Sequence, residues 1–320
     1  MMSSSNQSIP QNAVSNTGPM VGAFSTSQIR YVEHMAFLEV ISFFGEGVGA
    51  ALYLLGFMAD SFFIQIAGVV LVAVAVVALV LHLGSRAHLA WRALTKIRTS
   101  WVSRGSLFIT LFMAFSVASI TVHVVGSLAG VNTGALEEGL NWLAAVTAPL
   151  VIIYAGMMLR SMKAVTLWRT FYLPLGFSFH SIASALLLFL LAVNLLEIEA
   201  AFSHWLQPAI LISLTVATLI TLLHIFIVPR TAAIEASLER LIKNKFRARM
   251  LWGAGVGGIL VPVGCLLIAS LFSAESNQPV TVALLLLAVV ARLFGDYAYR
   301  SAFVMSGAYE PIVPPASRCL

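Results

Sequence analysis

The sequence predicts an all-α, polytopic membrane protein of eight transmembrane helices, with its N- and C-termini on one side, the cytoplasmic one. Three observations carry this. The chain is 60% hydrophobic and only 10% charged, with a mean hydropathy of +0.95, whereas a water-exposed domain needs roughly 25% charged residues to cover itself. Eight continuous apolar runs each approach the ~20 residues a helix needs to cross hydrocarbon. The links between them alternate in the sign of their charge.

In chain order, residues 1–34 read as a disordered or interfacial tail, since the first 27 are rich in Ser, Asn, Gln, Gly and Pro with no apolar core. The first apolar run starts near Met35, too far along for an ordinary cleaved signal peptide, so it is expected to remain in the protein. The membrane domain, 35–304, divides into spans at 35–59, 62–84, 107–130, 140–159, 173–196, 206–228, 251–272 and 280–304, followed by a C-terminal tail, 305–320. The runs are continuous and not alternating, which favours helices over barrel strands.

The links after the second, fourth and sixth spans hold 14 of the 18 Lys and Arg residues. They are Arg86, Arg92, Lys96, Arg98, Arg104; Arg160, Lys163, Arg169; and Arg230, Arg240, Lys243, Lys245, Arg247, Arg249. The odd-numbered links hold Asp60, Glu137, Glu138, Glu197, Glu199 and Glu275 and no basic residue. The excess of basic residues places the even links in the cytoplasm. A net charge of +5 distributed this way sets topology and does not point to nucleic acid. Between Pro229 and Met250, Ile234, Leu238, Leu241, Ile242 and Phe246 recur at helical spacing, predicting an amphipathic helix on the membrane or against a partner. Gly45 with Gly49, and Gly253 with Gly257, are spaced for close helix packing.

Ionisable residues within spans cost at least ~2.5 kcal/mol and therefore face protein or water, usually with a partner. Glu39 and Glu46 lie two turns apart on one face of the first span; Arg292, Asp296 and Arg300 are successive i,i+4 neighbours in the last. Their depths predict that these two helices meet through their charges. His82, His180 and His224 all lie toward the basic side, which predicts a cavity opening there, while His123 sits toward the other side. His180 and His224 are the one pair placed to ligate a b-type haem from facing helices. Cys265 and Cys319 are the two cysteines, too few for an iron–sulfur cluster held by this chain alone and far from a CxxC.

The stretch His82-Leu83-Gly84-Ser85, Trp91-Arg92-Ala93-Leu94, Arg98-Thr99-Ser100-Trp101 and Ser103-Arg104 resembles the dimethyl sulfoxide reductase anchor-subunit family, within the wider polysulfide reductase-like membrane subunits. Phe44-Gly45-Glu46-Gly47, Arg160, Pro174-Leu175-Gly176-Phe177 and Gly295-Asp296 with Arg300 match further short pieces in the same order. The resemblance implies eight helices in the cell's inner (plasma) membrane and a part in anaerobic respiration. It implies a subunit that anchors a ferredoxin-like iron–sulfur subunit and a molybdopterin catalytic subunit. It would oxidise menaquinol to menaquinone without haem or cluster of its own and hold no metal. The family's quinol-site histidine maps onto His82 and its site glutamate onto Gly105, which has no side chain to take a proton. The quinol site expected here is therefore His82 as base, with Arg86, Glu46, Asp296 and Arg300 around it, and Glu46, Glu39 or Asp296 in place of the absent carboxylate. The alternative reading is a proton-coupled secondary transporter using Glu39, Glu46, Arg292, Asp296 and Arg300.

Overall fold

In the computed structural model, residues 21–83, 96–198, 203–271 and 278–308 are described, and their regular structure is helical. Among the described residues, eight helices are long and apolar enough to cross a membrane. The first, α1 (Val21–Met58), starts well ahead of its apolar run, within the segment read as a tail. It lies at the centre of the bundle and packs against α2 (Phe62–Leu83), α4 (Gly134–Ser161), α5 (Tyr172–Leu196) and α9 (Gln278–Ser306). Its membrane part is accordingly buried on nearly every side, with Val40, Phe43, Val48, Ala50 and Tyr53 in the core. The outer helices turn large apolar side chains outward, Leu128 and Leu271 being more than four-fifths exposed. That surface is stable only against lipid.

α3 (Trp101–Ala129) starts at Trp101 and not at 107. Ser100 caps it by accepting from the Ser103 amide, and Arg104 folds back to donate to the carbonyls of Ile97 and Arg98 at 3.0 and 2.8 Å. The Arg104 guanidinium also lies 4.8 Å from the centre of the Trp101 ring. The last residues of the basic link are thus the first turn of the helix, which apolarity alone does not reveal.

α6 (Ser203–Ile227) packs on α5, and α7 (Ala232–Ile242) follows it. The expected amphipathic helix exists, with Ile234, Leu238, Leu241 and Phe246 buried and Ile242 outside. It seats against α9 and the short 3-10 turn Thr166–Arg169, not on open membrane. Thr231 caps its N-terminus, and Ser237 Oγ accepts from the Ala308 amide at 2.8 Å.

The seventh span opens as a π-helix, Arg249–Leu260, and continues as α8 (Val261–Leu271). Four of the twelve π-helical residues are glycine. Gly253 and Gly258 face α9, where a Cβ at Gly295 would fall on Gly258 Cα, so the backbones meet directly. Gly45 and Gly49 likewise admit α2, whereas Gly257, expected to share this role, has only ordinary contacts and Gly258 takes it.

The 3-10 turn, the start of α7 and the end of α9 gather at one end of the bundle, joined by Trp168 Nε1 donating to Phe303 O at 3.1 Å. This is the basic end. At the other, His123 pairs with Glu137 at 2.9 Å and stacks on Phe62.

Candidate functional site

Two polar groups occupy the membrane part of the basic half. One is a closed arginine cluster between α5, α9 and the π-helix. The Gly258 carbonyl of the π-helix takes a donor from α9. Arg292 Nη1 donates to it at 2.8 Å. Arg292 Nε donates to Ser184 Oγ at 3.1 Å, and Nη2 to the His180 carbonyl at 2.9 Å and to His180 Nδ1 at 3.1 Å. Because Nδ1 accepts there, the ring's proton sits on Nε2, which faces Thr221 Oγ1 at 3.4 Å. The His180 ring stacks on Tyr299 at 4.0 Å.

Asp296 joins the two arginines. Its Oδ1 accepts from Arg300 Nε at 2.8 Å, and its Oδ2 accepts from Ser184 Oγ at 3.0 Å. Arg300 completes its fork on the Phe43 and Phe177 carbonyls and Ser181 Oγ, at 3.1, 3.0 and 2.7 Å. Arg292, Asp296, Arg300 and His180 are each at most 2% exposed. The cavity expected beside these residues is therefore replaced by a closed network, and both ring nitrogens of His180 are engaged by protein. His224 is equally buried, with Nε2 against the Leu167 carbonyl and Thr170 Oγ1, both at 3.0 Å.

The second group lies where α1 meets α2 and α4, with α3 behind. Glu46 is fully buried; Oε1 accepts from Ser42 Oγ at 2.7 Å, and Oε2 has no hydrogen-bond partner among the described residues. Glu39, two turns nearer the basic end, is partly buried and within electrostatic reach of His82. Tyr154 of α4 is within electrostatic reach of both carboxylates, and Arg300 is within reach of Glu46.

No protein-family model matches the chain, and no curated protein matches it at a significant level.

The expected meeting of the first and last spans is present but differs in kind. Arg300 reaches α1 through the Phe43 carbonyl, and Arg292 turns to α5 and the π-helix instead. Glu46 is bonded within its own helix and not to an arginine. Of the expected site residues, Asp296 and Arg300 belong to the closed cluster. Glu46 lies between the two groups, and His82 ends α2 beside Glu39. Arg86 lies outside the described residues.

Sequence reasoning missed Tyr154. A Cβ at Gly105 would fall among the ring atoms of Tyr154, so the glycine is the condition for the ring to pack there. The tyrosine is 3% exposed, and its Oη lies 3.3 Å from Met158 Sδ. The available signal was the pair itself: a glycine where the resembled family carries a glutamate, and a tyrosine in an otherwise apolar stretch of a neighbouring helix.

Proposed function

We propose that the chain is the quinol-oxidising membrane anchor of a molybdopterin oxidoreductase complex, with its basic end in the cytoplasm. The observation that supports this best is the acid–histidine group that runs from the partly buried His82 and Glu39 at that end to the fully buried Glu46. Glu39 is within electrostatic reach of His82, and Tyr154, which fills the place beside Gly105, is within reach of both carboxylates. Oxidising a quinol to a quinone releases two electrons and two protons, so bases within hydrogen-bond reach of the two hydroxyls are required. His82, at the end of α2, is the base for one proton at the rim. Glu39 and the unpartnered Oε2 of Glu46 continue the route for the other. Both electrons leave to a ferredoxin-like iron–sulfur subunit docked on the basic loops, which passes them to the molybdopterin subunit. The arginine cluster holds α5, α9 and the π-helix in register and fixes Glu46 at its depth; Asp296 and Arg300 are thereby positioning residues.

A proton-coupled transporter draws its support from the same orphan carboxylate oxygen of Glu46. Oxidation of a menaquinol analogue by the chain purified with its partner subunits separates the two. We expect His82→Ala to slow oxidation by about 10²-fold or more, the scale of a lost general base. Glu46→Gln should slow it while leaving the melting temperature unchanged. Wild-type oxidation by both variants, or substrate-driven proton uptake by the chain alone in vesicles, would favour the transporter.

A further inference from the structure

α6 and the π-helical Arg249–Leu260 stand apart on the outer surface and leave a groove of about 600 Å³ between them. Leu251, Val256 and Ile259 line it, and Thr218 of α6 closes the far side. At its basic end stand Arg247, which is exposed, and Trp252, which is 70% exposed. Among the described residues the Arg247 guanidinium has no ion-pair or hydrogen-bond partner. Its neighbours Arg249 and Lys245, by contrast, lie against the Phe246 ring.

Gly255 forms part of the groove wall, and helix packing does not account for it. A Cβ there would meet nothing closer than the Met250 carbonyl at 3.5 Å, in contrast to Gly253 and Gly258 on the α9 side. Glycine costs a helix about 1 kcal/mol relative to alanine, and here its effect is to keep the groove open. From Arg247 to Leu260 the helix advances roughly 15–20 Å, about the ~15 Å depth of one leaflet's hydrocarbon.

We infer that this groove is a binding site for one anionic phospholipid. The acyl chain lies over Gly255, Val256 and Ile259, and the phosphate is held by Arg247 with Trp252 at headgroup depth. A basic residue at the mouth of an apolar, interhelical groove supplies the charge complementarity that selects an anionic head group. A second outer groove, between α1, α4 and α5, serves as the contrast. It measures about 360 Å³, is lined by Ala51, Leu55, Ile152 and Ile182 among others, and has no charged residue in its lining. It is a place for unselected lipid.

The test is lipid titration of the delipidated, detergent-solubilised chain with phosphatidylglycerol or phosphatidylcholine of identical acyl chains, read by native mass spectrometry. We expect one phosphatidylglycerol to bind about fivefold tighter than phosphatidylcholine, the effect of one basic residue near the head group. Arg247→Gln should abolish that preference, and Gly255→Leu should remove the bound lipid while keeping the wild-type melting temperature. Should Gly255→Leu fold poorly, Ile259→Trp fills the same groove from its rim. Equal affinity for the two lipids overturns the assignment. So does an unchanged count in a folded groove-filling variant, retention of a quinone in place of lipid, or exclusion of lipid from the groove by a bound partner subunit.

Discussion

Asp296 commits both carboxylate oxygens, one to Arg300 and one to Ser184, and nothing about it is open to solvent. Its removal would leave two buried guanidinium groups without a counter-charge on their own helix. Breaking a buried pair from one side costs about 3–5 kcal/mol. Asp296→Ala is therefore expected to lower unfolding free energy by that amount in a denaturant titration of the solubilised chain; a loss below about 1 kcal/mol would show that the cluster is not structural. Glu46 is the opposite case, because an amide at that position keeps Ser42 as partner and gives up no pairing at Oε2. The two-turn spacing of Glu39 and Glu46 and the i,i+4 run Arg292, Asp296, Arg300 made these residues legible in the sequence. Their division into an arginine cluster and a separate carboxylate group was not. It depends on Ser184, Ser181 and four backbone carbonyls, none of which has a distinguishing pattern along the chain. Tyr154 was hidden for a related reason, since its position follows from what Gly105 lacks.

At the level of elements, the eight spans followed from apolar run length, and the amphipathic helix from its 3.6-residue period. The starts of helices were harder to place. α3 reaches back into the basic link because Ser100 and Arg104 satisfy its first turn, an arrangement set by hydrogen bonds and not by hydropathy. The π-helix left only its four glycines and Pro262 as a trace. For α7, the sequence offered membrane or partner, and the structure gives it an intramolecular partner. Leu241 is fully buried there and Leu238 nearly so. Placing a charge at Leu241 costs at least the roughly 2 kcal/mol of a lost buried leucine. Leu241→Asp should thus raise the detached population of α7 more than about tenfold. The readout is trypsin cleavage after Arg240 in the solubilised chain with the spans left intact, and an unchanged cleavage rate would mean that α7 is held by other contacts.

Across the whole molecule, charge sign and buried polar groups are polarised along one axis. Basic connections, the His82–Glu39 pair and the headgroup end of the outer groove share one end, while His123 and Glu137 mark the other. The quinol-oxidation proposal puts that end in the cytoplasm, with proton release and electron exit together on the basic loops. Impermeant maleimide labelling of intact cells checks this in a background with Cys265 and Cys319 replaced by alanine. A cysteine at Glu138, in the exposed first turns of α4, should label from outside. A cysteine at Lys243, exposed just past α7, should label only after lysis. The reverse pattern would move the electron-accepting subunit and the released protons to the outer face. The geometry of His82, Glu39 and Glu46 would be unchanged, but the direction in which turnover carries charge relative to the membrane would invert.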